Sequence, residues 1–474
     1  MWKKSILVLV AFVISPHLGY GQETKAVLDG ASKAMGDVNS LRYSGSGAFF
    51  AFGQSFTPGD PWPRFGLKSY TRTIDYETPA LRDEVVRAEG DPVARGGGLP
   101  IPGGQRLTTA VSGTLAWGQL AEGPVNPAPA AVGDRLHQLW ITPHGLIKAA
   151  LKYNATVQTQ EGGGKKTSTI SFAVPGQFKV RAVVNDKNLI EKVESWNTNP
   201  VLGDMPTETV YADYKDFGGV QFPTKITQKQ GGFPTLDLTI NEVTPNAPAN
   251  IQPPDNVRQA GIKVQAEKVA DGVWYLTGGT HHSVLVEMSD HLVVIEGPLD
   301  DARADAVIAA VKNLVPNKPI KHVVNSHHHF DHAGGLGAFA ADGATIITDD
   351  STKAFLEQSL AAPRSIHPDK LAQSGKKATV EGMPDKRVLS DATVLTSACS
   401  HARPRARARL ISGKLSKARL RLNARSRPRR RLPDSRFGLR NAAAAVLPGK
   451  VQQPRRRPDK NRTRLAVVTA VRIP

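Results

Sequence analysis

The sequence predicts an α+β protein: a β-rich N-terminal domain, a second domain in which strands alternate with helices, and a basic tail. Three observations carry this. One helical period is followed by a long series of short strand-like runs. The texture then changes behind a Pro/Asn-rich stretch, Thr244–Asp255. From Thr396 the chain becomes crowded with arginine.

Each element follows in order. Glu23–Leu41 is expected to be helical, with Val27, Leu28, Ala31, Met35 and Val38 near helical spacing. Strands are expected at Arg42–Phe52, Ser69–Asp75, Thr167–Ala173, Lys179–Val184, Leu189–Trp196, Glu208–Tyr214, Thr224–Gln230 and Thr235–Val243, separated by Gly, Pro, Asn and Asp clusters. One helix and many short strands predict an antiparallel, strongly curved sheet wrapped on that helix. The Pro-rich run Arg95–Gly104 lacks a following Lys-Ser/Thr, so it reads as a mobile loop and not a phosphate loop. Beyond the linker, strands are expected at Val273–Thr277, Ser283–Glu287, Leu292–Glu296, His322–Asn325 and Ala344–Thr348. Helices are expected at Asp301–Leu314, Gly335–Ala341 and Thr352–Leu360. That alternation suggests two mixed sheets with helices outside, and Val388–Val394 reads as a strand entering the next element.

Charge separates the body from the tail. The formal net charge is +19, yet residues 396–474 hold 23 Lys+Arg against two acidic residues, which leaves the rest at 38 basic and 40 acidic. The body is nearly neutral, so no nucleic-acid partner is expected for it. The tail would bind anions in a salt-dependent way, but it offers only Phe437 for base stacking. The single cysteine, Cys399, excludes an intrachain disulfide and a Cys-rich zinc framework. Lys3 and Lys4, the short apolar run Ile6–Ile14 and the small residues Gly19 and Gly21 before Gln22 read as an export signal. A periplasmic or secreted location is therefore expected. No later apolar stretch reaches the roughly 18 residues of a spanning helix, so a soluble mature protein without a stable membrane anchor is expected.

The chemistry concentrates in His322-Val-Val-Asn-Ser-His327-His328-His329-Phe330-Asp331-His332-Ala-Gly334-Gly335. An apolar strand runs into a polar turn and then a glycine-marked helix start. His327 and His329 lie two apart, so an extended backbone directs both rings to one side. Asp331 and His332 follow where the chain turns. Imidazole nitrogen with carboxylate oxygen suits Zn²⁺, and iron also accepts such ligands.

This motif, with the strand before it, the helix after it and the Val284–Glu296 hairpin upstream, resembles the metallo-β-lactamase superfamily over about Val264–Val394. The stretch Val210–Pro223 resembles the repeating edge of half-barrel domains such as periplasmic lipoprotein carriers. The resemblances imply a half-barrel-like first domain and a partial αββα second domain. They imply one or two Zn²⁺ ions, with His327 and His329 on one and Asp331 and His332 on the other. Asp331 would also act in catalysis, orienting a metal-bound hydroxide and moving a proton. Glu296-Gly297 ends a strand where the family has Asp-x-Gly. Glu296 is read either as hydrogen-bonded to a ligand histidine or as an ordinary strand-end charge. His281 and His282 are read as solvated turn residues, the alternative being that they line the site mouth.

The sequence departs from the family downstream. Further histidine and aspartate ligands are expected there, but the last histidine is His401, in a Ser-His-Ala-Arg-Pro setting. The Arg-, Ala-, Pro- and Gly-rich tail has the composition of a GC-rich gene read out of frame, and a frameshift between about Asp391 and Cys399 is the favoured reading. The organisation is then signal peptide 1–21, β-rich domain 22–244, linker 245–260, metallo-β-lactamase-like domain 261–395 and a tail 396–474 expected to be disordered. The function implied is an exported zinc-dependent metallo-hydrolase acting on an ester, lactone, amide or similar bond of a small molecule. The loss of downstream ligands would impair it. The alternative is a non-catalytic metal-binding or hydrophobic-ligand-binding periplasmic protein.

Overall fold

The computed structural model describes residues 18–88, 103–162 and 165–383. The expected export signal up to residue 17, the loop Arg95–Gly104 apart from its last two residues, the strand Val388–Val394, Cys399, His401 and the basic tail lie outside the described residues.

The chain is α+β. It opens with helix α1 (Leu18–Met35). The expected helix to Leu41 is corrected: Gly36 takes φ +79°, a left-handed conformation that ends a helix, and Leu41 belongs to the next strand. Thirteen strands then form one antiparallel sheet. They are β1 (Ser40–Phe50), β2 (Arg64–Asp75), β3 (Ala80–Arg87), β4 (Arg106–Ser112), β5 (Leu115–Leu120), β6 (Asn126–Pro127), β7 (Thr156–Gly162), β8 (Lys165–Val174), β9 (Phe178–Val184), β10 (Ile190–Asn199), β11 (Gly203–Asp216), β12 (Gln221–Gln230) and β13 (Phe233–Pro245). All eight strands expected in this region are present within a few residues. The sequence reading missed β3 to β7 and two helices, α2 (Val132–Trp140) and α3 (Pro143–Lys152).

The strand order β6-β5-β4-β3-β2-β1-β13-β12-β11-β10-β9-β8-β7 places the two termini of the sheet side by side at its centre. Laid flat, thirteen strands would span roughly 58 Å. Yet α2 packs on β3, β4 and β5, its neighbour α3 on β8, and α1 on both β7 and β12. Short helices reach strands from both ends only because the sheet curls around them. Gly45 and Gly47 mark the bend. A Cβ there would lie 2.1 Å from the Thr239 carbonyl oxygen and 2.0 Å from that of Asp237, and the register of β1 shifts at these positions. Inside the curl, Leu28, Ala31 and Met35 of α1 pack with Leu41, Ile74 and Phe222. Each fully buried large side chain there contributes about 1.5–3 kcal/mol relative to exposure.

After Pro245 the chain makes a short helix, α4 (Asp255–Arg258), and enters a second sheet. Its strands are β14 (Gln265–Ala270), β15 (Val273–Thr277), β16 (Ser283–Glu287), β17 (Leu292–Ile295), β18 (Ile320–Val324), β19 (Thr345–Asp349) and β20 (Val380–Met383). Helices α5 (Asp301–Leu314), α6 (Phe330–Ala333), α7 (Leu336–Asp342), α8 (Asp350–Leu360) and α9 (Lys370–Ser374) connect the later strands. The sheet runs β14 to β20 in chain order, antiparallel to β17 and parallel from β17 onward. The expectation of two mixed sheets is corrected: among the described residues every strand after the linker joins one sheet. Each helix-containing crossover among the described residues returns its strand to the neighbouring position. Val294, Val323 and Ile346 pack with Val307, Leu336 and Phe339 in the core. Among the described residues no helix is long and apolar enough to cross a membrane.

Candidate metal centre

The candidate centre lies at the carboxyl ends of the adjacent parallel strands β17 and β18, where open α/β sheets commonly carry their ligand sites. Glu296 leaves β17 with φ +72°, a conformation that costs a non-glycine residue about 1–3 kcal/mol. Its carboxylate bridges two segments in return. Oε1 accepts the Ser326 backbone N–H at 3.0 Å and Oε2 accepts His332 Nδ1–H at 3.0 Å. Of the two readings of Glu296, the partner of a candidate ligand is the one the geometry shows.

Behind β18, buried Asn325 sets the next turn. Its side chain donates to the His332 carbonyl at 3.3 Å and accepts from Thr348 Oγ1 at 3.3 Å. The chain then presents His327, His329, Asp331 and His332 together. The His327 ring lies 4.5 Å from that of His329 and 4.2 Å from that of His332, centroid to centroid. Two glycines allow α6 to approach so closely. A Cβ on Gly334 would sit 1.9 Å from the Leu299 carbonyl oxygen, and one on Gly335 2.9 Å from that of Pro298.

Each clustered imidazole uses one nitrogen for support. His327 Nδ1 bonds Ser326 Oγ at 2.8 Å, His332 Nδ1 bonds Glu296, and His329 Nε2 donates to the Ser55 carbonyl at 3.0 Å. That leaves His327 Nε2, His329 Nδ1 and His332 Nε2 as the second nitrogens. A hydrogen bond on one ring nitrogen is how ligand histidines are ordinarily oriented. Among the described residues, His281, Asp331 and His332 form the group whose ligand atoms all lie within 4.8 Å of one another, and this donor set of two imidazoles and a carboxylate fits a metal ion; the His327 ring lies against that of His332, and the His329 ring against that of His327.

The electrostatics favour neutral imidazoles at His327 and His329 and an ionised acid at Asp331. Burial, with the neighbouring His332 and His329, pushes His327 down to about 3. Burial also lowers His329. Burial would raise Asp331, but hydrogen bonds from His281 Nε2 at 2.8 Å and Gln54 Nε2 at 2.8 Å outweigh it. With the nearby histidines they hold the carboxyl well below its usual range. His332 moves up despite burial, because the Glu296 carboxylate and Asp331 favour its charged form.

The sequence reading missed two participants, Gln54 and Ser55, and placed a third, His281, first as a solvated turn residue and only second at the site mouth. His281 is not a solvated turn residue: it reaches Asp331, and the Arg303 guanidinium, which donates to the Thr277, Lys263 and His281 carbonyls, holds its loop. Its place at the start of a strand, just before β16, was the signal. Gln54 and Ser55 come from the loop between β1 and β2, and no spacing in the chain links residue 54 to residue 331. His282 turns instead to Tyr275 and to the Gly279 carbonyl.

Residues 276–348, from the end of β15 through most of β19, match the family model of the metallo-beta-lactamase superfamily. No curated protein matches the chain. Among solved structures, a LolA superfamily protein from Nitrosomonas europaea aligns over 49% of this chain and 96% of its own, with 14% identity and a TM-score of 0.30. A mono-zinc metallo-beta-lactamase from Pseudomonas aeruginosa aligns over 26% of this chain and 50% of its own, with 19% identity and a TM-score of 0.20. One from Hirschia baltica aligns over 23% and 51%, with 24% identity and a TM-score of 0.18. The chain thus spans about half the length of the metallo-beta-lactamase structures it is similar to.

Proposed function

We propose that this chain is an exported metallo-hydrolase of the metallo-β-lactamase type whose centre is built from His327, His329, Asp331 and His332. The observation that carries this reading is the convergence of these four side chains at one sheet edge, each imidazole fixed through one nitrogen. His327 and His329 would hold one Zn²⁺ and Asp331 and His332 a second, iron being the alternative metal. The metal, when bound, supplies Lewis acidity and lowers the pKa of a coordinated water.

The chain's own residues supply the rest. Asp331, held ionised by His281 and Gln54, offers a carboxylate oxygen that can accept a hydrogen bond from a water and orient it. Glu296 keeps the Nδ1 proton on His332 and so directs the Nε2 lone pair into the site. The substrate class is a small molecule with an ester, lactone, amide or similar bond. No histidine follows His401 in the sequence, so hydrolysis by this chain is expected to be far slower than in a complete centre.

The test is metal content and turnover on the full chain. After dialysis against Zn²⁺, the wild type should retain at least one ion, and His327→Ala should lose it. Hydrolysis of a chromogenic β-lactam, lactone and ester panel should be weak and should vanish with a chelator. A wild type that retains no metal refutes the reading.

A second reading, a carrier for a ligand with an apolar part, is favoured by a cavity of about 240 Å³ in the first sheet, lined by Phe49, Phe52 and Leu236 and equally by polar groups such as Arg72, Asp83 and Gln228. Mass spectrometry of an organic extract of the purified chain would detect such a cargo, and a clean extract argues against it. Lys3, Lys4 and the Ile6–Ile14 run support export, which the N-terminal sequence of the chain recovered from the periplasm or medium would check.

A further inference from the structure

The loop between β1 and β2, residues 51–63, belongs to the first sheet but ends inside the centre of the second. Gln54 Nε2 donates to Asp331 Oδ1 at 2.8 Å. The Ser55 carbonyl accepts two imidazole protons, from His328 Nε2 at 2.8 Å and His329 Nε2 at 3.0 Å. A carbonyl oxygen only accepts, so the second bond requires the Nε2–H form of His329 and leaves the Nδ1 lone pair for the centre.

The loop is also clamped. The rings of Phe52 and Trp62 meet Phe330 edge-on at 5.3 and 5.4 Å, and Trp62 meets Phe233 at 5.4 Å. The Gly53 carbonyl accepts the Phe330 N–H at 3.2 Å. Gly53 takes φ +75°, and a Cβ there would lie 2.7 Å from the Phe330 ring. Only glycine lets the loop come this close.

We infer that the 51–63 loop is a positioning element of the metal centre: Gln54 fixes the Asp331 carboxylate, and the Ser55 carbonyl fixes the ring and tautomer of His329. The inference rests on the metal-centre reading, and it makes the first sheet a structural part of that centre. Without Gln54, Asp331 retains His281 as a partner on one oxygen and gains rotational freedom on the other. Without the Ser55 contact, either nitrogen of His329 can carry the proton.

The experiment uses the full chain, Co²⁺ as the probe and two variants. Gln54→Met keeps the side chain's length but removes its donor. It should weaken Co²⁺ binding roughly 10-fold, the usual cost of losing a group that orients a ligand, and should shift the visible absorption band while leaving the urea midpoint in place. Gly53→Ala displaces the loop. In metal-free protein it should speed diethylpyrocarbonate labelling of His328 and His329, read by peptide mass spectrometry. If the wild type fails to bind Co²⁺ while labelling still rises, the metal reading falls and the loop's hold on the histidines stands. Wild-type affinity and spectrum in Gln54→Met, or unchanged labelling in Gly53→Ala, overturns the inference.

Discussion

Two histidines buried in the first sheet make its stability depend on pH. His137 of α2 is fully buried, bonds Ser195 Oγ through Nε2 at 2.9 Å and lies 5.2 Å from the Phe178 ring, while its Nδ1 has no partner. His144 of α3 donates Nε2–H to the Met35 carbonyl at 3.2 Å, and its Nδ1 is likewise without a partner. Burial pushes the first down to about 3 and the second to about 4, against 6.5 in an unfolded chain. Between those values and 6.5 the unfolded chain binds more protons than the folded one, so stability falls as the pH falls. At pH 5 each histidine costs ~2 kcal/mol relative to neutral pH, or ~4 kcal/mol together. That is a large share of the 5–15 kcal/mol typical of a folded domain. Urea unfolding at pH 7.5 and 5.0, followed by far-UV circular dichroism, measures the loss. A His137→Gln/His144→Gln variant is less stable throughout but should lose ~4 kcal/mol less over the same interval. Equal losses in the wild type and the double variant would refute the assignment of acid sensitivity to these two rings.

Further predictions concern the second sheet and its contacts. Gly334→Ala drives a methyl onto the Leu299 carbonyl; it should cost upward of about 2 kcal/mol and lower metal retention, read by thermal unfolding and metal analysis. Glu296→Gln removes the charge opposite His332 and should weaken Zn²⁺ binding about 10-fold in a competition titration; unchanged affinity would leave Glu296 a structural bridge. Asp204 accepts the Ser365 N–H and Oγ–H and the Ile366 N–H at 2.8, 2.6 and 3.2 Å, tying the β10–β11 hairpin to the segment after α8. Asp204→Ala should destabilise that contact by about 1–3 kcal/mol, seen as faster hydrogen exchange at Ser365 and Ile366, and unaltered exchange would show that the tie is not limiting.

What the sequence disclosed follows from how local each signal is. The bounds of α5, β15 and β16 were readable to the residue. Asp300 caps α5 with its side chain on the Arg303 N–H, and the strands are short apolar runs between turn residues. The end of α1 was not readable, because Val38 and Leu41 continue a helical spacing while serving a strand core. The helices α2 and α3 follow a Pro- and Ala-rich stretch that masks their period. In the centre, His327 to His332 are contiguous and announced themselves. Glu296 was half visible as a strand-end acid. Gln54 and Ser55 were invisible, since only the curl of the first sheet and the aromatic clamp bring them to Asp331 and His329.

The pairing of β1 with β13 sets the order in which the chain can assemble. Ser40 and Ala247, which bond across this seam, are separated by 207 residues. Pairing so distant is slow, because the entropy of closing the loop must be met before the contact forms. The middle of the first sheet therefore cannot register until β13, which ends some eighty residues before His327, is free to pair with β1. A lesion in β13 would loosen its partner β1 and the loop that carries Gln54 and Ser55, and so disturb a site almost a hundred residues downstream of it.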